Sequence, residues 1–271
     1  MLIKNNMIKY IDTHSHLPFK EFDYDRESVL EEMKEKGIAT IAIGTDYEES
    51  KKAIALAEAN ESIFASVGFH PADNRVEKFE YEKFLEIAKN KKVVAIGECG
   101  LDYFHNKNDQ EDILKQVKLF KEHIKLAVEV DKPLMLHVRP FQNNDTYDDV
   151  IKILVEEKKN YGDKVRGNFH FFVGDVVTAK KILDIGFTVS FSGVITFAKD
   201  YEEVVRFVPL DKMHAETDSP YVAPAQHRGK RNSPVYVTYI VDKISEIKEL
   251  NVEEVREQLL KNAKNLFDFK I

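Results

Sequence analysis

Short apolar runs rich in β-branched residues alternate along the chain with longer stretches in which apolar residues recur at helical spacing. Runs that are apolar on both faces are typical of buried parallel strands. Eight such runs predict strands over Lys9–Thr13, Thr40–Gly44, Phe64–Gly68, Val93–Gly97, Leu134–Val138, Gly167–Phe171, Thr188–Phe191 and Met213–Thr217.

The stretches between these runs predict helices. Ser28–Lys36 carries Val29, Leu30 and Met33 at helical spacing and stops at Gly37, a common C-terminal signal. Eight strands, each followed by a helix, favour a closed (β/α)8 barrel, with a doubly wound open sheet as the alternative. The other predicted helices cover Ser50–Ala59, Glu80–Lys89, Asp109–Val130, Thr146–Lys158, Val176–Ile185, Tyr201–Phe207 and Val235–Ile247, and Val252–Phe267 is an extra C-terminal helix.

The size and composition fit one α/β TIM barrel that spans residues 1–271 as a single domain. No apolar run approaches the roughly 20 residues of a membrane span, so we expect no membrane association. The segment Met1–Lys9 lacks a signal-peptide core, and the single cysteine excludes an internal disulfide, so a cytoplasmic location is expected. The net charge of −7 argues against a broad DNA-coating surface but permits a small phosphate pocket.

The segment Asp12-Thr13-His14-Ser15-His16 ends the first predicted strand. Residues two apart in a strand point to the same side, so His14 and His16 can approach one metal ion together, with Asp12 in support. A single histidine is more often a surface or core residue. The metal interpretation gains weight because histidines and carboxylates recur at the ends of later strands.

In a (β/α)8 barrel the active site forms at the C-terminal ends of the strands. Seven ionisable residues from six strands fall on that rim, which chance does not readily explain without a metal. Imidazole and carboxylate without thiolate suit zinc, manganese, iron, cobalt or nickel. Glu98 lies between two histidine pairs and is expected to bridge two ions. The seven residues are His14, His16, His70, Glu98, His137, His170 and Asp218.

Four other features near the rim have competing interpretations. Cys99 should point away from Glu98 along the strand, so we expect a buried structural thiol. Arg139 can bind an anionic group or form a salt bridge at the rim, and Asp102 and Tyr103 can line the pocket or support Glu98. The basic loop His227–Asn232 follows the eighth strand, where barrels often bind phosphate, but it can also be a solvated charge run.

Several motifs together resemble the TatD family of metal-dependent deoxyribonucleases. The Asp-x-His-x-His element alone is shared by many amidohydrolase-like barrels, whereas the whole combination is specific. The resemblance implies a (β/α)8 barrel and a divalent-metal nuclease that acts on DNA. The motifs are Asp12–His16, Gly68–Pro71, Ile96–Tyr103, Pro133–Arg139, Glu216–Pro220 and Arg231–Pro234.

The resemblance also implies roles for individual residues. His14, His16, Glu98 and Asp218 correspond to ligands of one metal ion, and Glu98, His137 and His170 to ligands of a second. The two ions would be magnesium, manganese, zinc, cobalt or nickel. Asp218 and Glu98 are the predicted catalytic residues. Because Asp218 ends the eighth strand, it is predicted to be the base that helps to activate water, although an aspartate there can also only hold a ligand in place. His70 and Arg139 correspond to phosphate contacts, and Arg231 of the basic loop is a further predicted substrate contact.

Two segments depart from the family pattern. The family often has His-Cys-Phe-Ser-Gly after the sixth strand, where this chain has His170-Phe171-Phe172-Val173-Gly174. The ligand His170 is kept, but small polar residues are replaced by bulkier apolar ones. The loop Arg139–Asp145 is also unusual, so substrate contacts near both loops are expected to differ.

The leading hypothesis is a phosphodiesterase that cuts DNA from a 3′ end, with single-stranded DNA or 3′ ends as its partner. The alternative is an amide or ester hydrolase, because the same barrel and metal set can polarise a carbonyl. A carbamylated lysine would favour amide chemistry, but Glu98 holds the end of strand four. A metal-retaining binding protein is disfavoured because the ligand set is intact and Asp218 supports it.

Overall fold

The computed structural model describes residues 8–73, 79–105, 107, 109–142 and 145–269. Eight parallel strands form one sheet in which each strand pairs with the next along the chain. The strands are β1 Tyr10–Ser15, β2 Ile38–Ile43, β3 Ile63–Val67, β4 Val93–Asp102, β5 Leu134–Arg139, β6 Gly167–Phe169, β7 Thr188–Phe191 and β8 Met213–Ala215.

A helix follows each strand, and one more closes the chain, as the spacing predicts. Gly37 ends the first helix in the left-handed region, where glycine is favoured. The helices are α1 Arg26–Lys36, α2 Tyr47–Ala59, α3 Tyr81–Ala88, α4 Gln110–Val130, α5 Thr146–Tyr161, α6 Val176–Asp184, α7 Glu202–Phe207, α8 Val237–Lys248 and the additional α9 Val252–Phe267. Among the described helices, none combines the length and the apolar composition needed to cross a membrane.

The first and last strands meet, so the sheet curls into a barrel. The Asp218 amide donates to the His14 carbonyl at 2.9 Å. The buried Asp12 carboxylate accepts from the Thr217 amide at 2.8 Å and from the Thr217 hydroxyl at 2.6 Å. Asp12 was expected to support the histidine rings, but these contacts fix the backbone where β1 meets β8. The (β/α)8 barrel is confirmed, and the open-sheet alternative is wrong.

Two separate apolar clusters stabilise the barrel. The larger cluster joins outward-facing strand side chains to the surrounding helices. The smaller one contains strand side chains and residues at the C-terminal end of the chain, which identifies it as the filling of the barrel interior. Phe269 stacks on Phe64 with ring centroids 4.3 Å apart. The C-terminal residues therefore pack into the barrel interior. The ionisable residues lie at the C-terminal ends of the strands.

Four strands end two or more residues from their predicted ends, and the first of them, β1, continues to Ser15. β4 continues past Gly97 to Asp102 because it keeps pairing with β5, and Asp102 lies opposite Arg139. β6 and β8 end earlier, because Phe171 and Asp218 just beyond them have φ values of 47° and 53°. A left-handed backbone cannot continue an extended strand, so the chain turns at the rim.

We predict that Phe267→Ala lowers the free energy of unfolding by about 3–5 kcal/mol, because it leaves a cavity where α9 packs against the barrel. Phe207→Ala is the matched control, since Phe207 is exposed at the end of α7. Urea denaturation measures the free energy of unfolding of both variants. Equal, small losses would contradict the packing role of α9.

Candidate metal centre

The six predicted metal ligands converge at one end of the barrel. The ligand atoms of His14, His16 and Glu98 lie within 4.8 Å of one another, as do those of Glu98, His137 and His170. All of them come from the C-terminal ends of strands or the loops directly after them. The side chain of Asp218 completes the set from the loop after β8. The structure thus brings together residues that are more than 200 positions apart in the chain.

One part of the centre, here called the first half-site, consists of His14, His16 and Asp218 around one oxygen of Glu98. The Nε2 atoms of His14 and His16 are 3.3 Å apart and lie 3.4 and 3.6 Å from Glu98 Oε2. Asp218 Oδ1 lies 3.6 and 3.3 Å from the same two nitrogens. Glu98 Oε2 is buried and has no hydrogen-bond partner within the described part of the chain. Buried acceptors without donors fit a divalent cation.

The second half-site consists of His137 and His170 around the other oxygen of Glu98. His137 Nδ1 lies 2.7 Å and His170 Nε2 2.8 Å from Glu98 Oε1. These two nitrogens are 3.3 Å apart. Glu98 therefore directs one oxygen to each half-site, which is the arrangement of a carboxylate that bridges two cations.

A carboxylate stands behind each histidine of the second half-site. Asp102 Oδ2 lies 3.0 Å from His137 Nε2, and Glu216 Oε1 lies 3.3 Å from His170 Nδ1. A carboxylate in this position keeps the hydrogen on the ring nitrogen that faces it. The other ring nitrogen, which faces Glu98, is then able to bind a metal. Asp102 therefore supports His137, rather than Glu98 as one sequence interpretation has it.

Glu216 is a residue that the sequence interpretation missed. It lies two positions before Asp218, so the same-side rule that singled out His14 and His16 could have found it. The Phe171 amide donates to Glu216 Oε1 at 2.6 Å, and the Ser190 hydroxyl donates to Oε2. The Asn168 side-chain amide donates to Ser190 Oγ at 2.9 Å. This buried chain of donors runs through the barrel interior and fixes the carboxylate behind His170.

The carboxylates of the centre have lowered pKa values. Burial alone would raise the pKa of Glu98, but the nearby imidazoles of His170, His14 and His70 hold it well below its usual range. Burial likewise acts against Asp218, yet its contact with His16 keeps the pKa of Asp218 below the ordinary value. Both groups are therefore deprotonated at neutral pH, the state that binds metal.

His14 of the first half-site and His170 of the second differ in their proton affinity. Burial and the neighbouring His170 lower the pKa of His14. Burial also acts on His170, but the charge of Glu98 and the hydrogen bond of Glu216 raise the pKa of His170 well above its usual value. A cation entering the second half-site must displace a proton there, so its binding weakens as the pH falls.

His70 lies beside the centre as a hydrogen-bond donor. Its Nδ1 accepts from the Ala72 amide at 3.2 Å, which leaves the hydrogen on Nε2. That Nε2 lies 3.7 Å from Glu98 Oε1. Burial, with the neighbouring His137, lowers the pKa of His70 to about 3. His70 is therefore neutral at physiological pH and presents an N–H to the site.

The two predicted arginine contacts have different environments. The Arg139 guanidinium lies over the Phe104 ring at 4.1 Å, and no carboxylate within the described part of the chain pairs with it. The salt-bridge interpretation of Arg139 finds no support there. Arg231 donates to both carboxylate oxygens of Asp25, at 2.8 and 2.6 Å. The structure does not bring Arg231 into the centre, and its substrate contact stays a prediction.

The glycines on either side of Glu98 allow β4 to approach β5 closely. A Cβ atom on Gly97 would lie 2.3 Å from the Met135 carbonyl oxygen, and one on Gly100 2.1 Å from the His137 carbonyl oxygen. Both glycines have positive φ values, 147° and 139°. Larger side chains would push the strands apart and move Glu98 away from His137.

Cys99 and Tyr103 are scaffold residues beside the centre. The Cys99 thiol is buried with no disulfide partner, and burial raises its pKa well above the usual value. This confirms the expected structural thiol, because reactive cysteines require an accessible thiolate. The Tyr103 hydroxyl donates to Asp149 of α5 at 3.0 Å, so it ties the loop after β4 to the helical layer.

Known proteins are similar to this chain over nearly its whole length. The family model for TatD-related DNases matches residues 11–268. The uncharacterized metal-dependent hydrolase YabD of Bacillus subtilis (strain 168) is 39% identical over 261 residues, which cover 94% of this chain and 98% of YabD. The uncharacterized metal-dependent hydrolase YcfH of Escherichia coli (strain K12) is 34% identical, with 95% of each chain covered.

Solved structures agree with these matches. The crystal structure of YjjV, a TatD homolog from Escherichia coli K12, has a TM-score of 0.83 at 28% identity and covers 97% of this chain and 99% of that one. A dihydroorotase from Campylobacter jejuni has a TM-score of 0.61 at 13% identity over 98% of this chain and 84% of its own. This second likeness shows the fold alone.

We predict that Glu216→Gln weakens metal binding at the second half-site by roughly 10–100-fold, because the carboxylate behind His170 is lost. Binding at the first half-site should change much less. Calorimetric titration of metal-free protein with Mn²⁺ separates the two steps, and the exposed Glu254→Gln is the control. Equal weakening of both steps would contradict a role for Glu216 that acts through His170.

Proposed function

The chain belongs to the family of TatD-related DNases, and from this premise we propose that it is a metal-dependent phosphodiesterase that hydrolyses DNA. The observation that carries the proposal is the divided environment of Glu98, whose two oxygens each face a separate set of buried ligand atoms. Two cations about 3.5–4 Å apart are typical of enzymes that cleave phosphate esters.

Each half-site would hold one cation. His14, His16 and Asp218 would bind one ion, His137 and His170 the other, and Glu98 both. Bound divalent ions lower the pKa of water and offset negative charge on the oxygens of a phosphate. Magnesium, manganese, zinc, cobalt and nickel are the candidate metals.

Asp218 is the base in this proposal. Its side chain is 13% exposed, compared with 3% for Glu98, so Asp218 is the carboxylate of the two that an attacking water can reach more easily. Its backbone amide is tied to the His14 carbonyl, which holds the carboxylate at the centre. Asp218 would accept the proton that the water loses as its oxygen attacks phosphorus, while Glu98 stays with the ions.

His70 and Arg139 would contact the phosphate. His70 is neutral and presents its Nε2–H towards the centre, so it can donate to a non-bridging oxygen without competing for a metal. Arg139 adds a positive charge at the end of β5. Donors that are fixed before the reaction stabilise the charge that develops on those oxygens.

A single strand, cut from its 3′ end, is the substrate in this proposal. The net charge of −7 supports a footprint of only a few phosphates, because a longer contact would require more cations on the surface. The choice of the 3′ end as the starting point of cleavage rests on the family resemblance. Oligonucleotides labelled at either end, single-stranded and duplex, distinguish exonuclease from endonuclease action.

The alternative, an amide or ester hydrolase, has no specific structural support. Glu98 occupies the position in β4 where a carbamylated lysine would favour amide chemistry. A metal-titrated assay that compares DNA with a panel of carboxylic esters separates the two functions. Turnover of the esters without turnover of DNA would overturn the proposal.

We predict that the metal-loaded protein holds about two divalent ions per chain. Glu98→Ala should reduce occupancy of both half-sites, since each of its oxygens faces one of them. His137→Ala should spare the first half-site, because the contacts of His137 lie in the second. Elemental analysis of the dialysed variants measures the ions retained. Equal losses in the two variants would argue against a bridging Glu98.

We predict that Asp218→Asn lowers kcat on labelled single-stranded DNA by roughly 100-fold or more, because the amide cannot accept the proton. Metal occupancy should fall less than kcat, since the amide oxygen can still bind an ion. Assays at saturating metal compare both quantities. Near wild-type turnover would leave Asp218 with a structural role only.

A further inference from the structure

Exposed aromatic side chains are concentrated on the face of the barrel that carries the metal centre. Of the six that are most exposed within the described part of the chain, four lie in loops that leave the C-terminal ends of strands. The other two, Tyr161 and Phe207, end α5 and α7 on the opposite face. The four are Tyr24 after β1, Phe104 after β4, Phe197 after β7 and Tyr221 after β8.

An arginine guanidinium lies over three of these four rings. The guanidinium carbon of Arg139 lies 4.1 Å from the centre of the Phe104 ring, and that of Arg228 lies 4.2 Å from the centre of the Phe197 ring. Arg231 lies 5.1 Å from Tyr24, but Asp25 neutralises it. Within the described residues, Arg139 and Arg228 form no ion pair with a carboxylate. Two cations on aromatic supports therefore remain available at the rim.

The fourth ring connects this rim to the metal centre. Tyr221 meets the ring of His16 edge-on, with centroids 5.9 Å apart. Phe104 meets His105 edge-on at 5.4 Å, and His105 contacts Asp102, the support of His137. Exposed rings thus stand beside both half-sites.

We propose that Tyr24, Phe104, Phe197 and Tyr221 form a stacking platform for unpaired bases, with Arg228 on a flanking phosphate and Arg139 on the phosphate at the metal centre. The inference rests on the proposed function and adds to it the residues that select a single strand. Unpaired bases offer a free face to an aromatic ring, whereas bases in a duplex already stack on one another. The uncompensated cations fit a polyanion, which argues for nucleic acid over an apolar peptide.

The platform also changes which residue of the basic loop contacts phosphate. The sequence singled out Arg231, whose guanidinium is held by Asp25. Arg228, three residues earlier, lies on an exposed ring instead. In the proposal, Arg228 therefore carries the phosphate contact of this loop.

Binding, measured without turnover, tests the platform. The metal-loaded protein is titrated with a fluorescent oligothymidylate that has phosphorothioate linkages, and with an abasic strand of the same length and linkages. Phe104→Ala and Phe197→Ala should each weaken binding of the oligothymidylate roughly tenfold, because one stacked base is lost, and affect the abasic strand much less. Phe207→Ala is the matched control, since its ring is 42% exposed on the other face, compared with 46% for Phe104 and 41% for Phe197.

Arginine variants, measured in the same binding assay, test the phosphate contacts. Arg139→Ala and Arg228→Ala should weaken both strands alike and reduce the slope of affinity against salt by about 1 each. The platform is rejected if Phe104→Ala and Phe197→Ala bind oligothymidylate like Phe207→Ala, or if they lose as much affinity for the abasic strand. Failure of the protein to hydrolyse any DNA would overturn the proposed function instead, because the binding result does not depend on cleavage.

Discussion

The burial of Glu98 among imidazoles is the interaction on which the mouth of the barrel depends. A carboxylate at this depth is costly unless positive or donor groups surround it, because it loses its hydration. Here the compensating groups come from β1, β3, β5 and β6, so they can meet only if the sheet closes. The two glycines beside Glu98 and the Asp12–Thr217 contact where β1 meets β8 serve the same end, since each brings strands close enough for Glu98 to be enclosed.

The two half-sites differ in how the imidazole nitrogens that point away from Glu98 are held. Asp102 and Glu216 each fix one ring of the second half-site, and Glu216 is in turn fixed by donors that reach it through the barrel interior. Among the described residues, no carboxylate stands behind His14 and His16, and their buried Nδ1 atoms have no hydrogen-bond partner there. The second half-site therefore has its geometry set before a cation arrives, whereas the first depends more on the cation itself.

The sequence predicted the fold, and it predicted which six proposed ligands would meet at one end of the barrel, because both follow from local rules. Strand and helix periods show the alternation, and the C-terminal ends of strands show where ligands gather. The remainder required contacts between distant parts of the chain. Asp25 and Arg231 pair across 206 positions, and Glu216 meets the Phe171 amide across 45, so no local pattern marks either contact. The end of β4 was misjudged because its pairing with β5 outweighs the break that glycine usually signals.

The proposed action on a polyanion requires an acidic protein to attract phosphate groups locally. At physiological ionic strength the field of distant charges is screened beyond about 8 Å, so the net charge of −7 repels a strand only where acidic groups lie near it. Two carboxylates near the mouth are already engaged: Asp25 holds Arg231, and Asp102 holds His105 and His137. Arg139 and Arg228 are left to face the solvent on aromatic supports. In the proposed function a strand would therefore be attracted at the mouth, and elsewhere the acidic surface would oppose the broad electrostatic contact by which duplex-coating proteins bind.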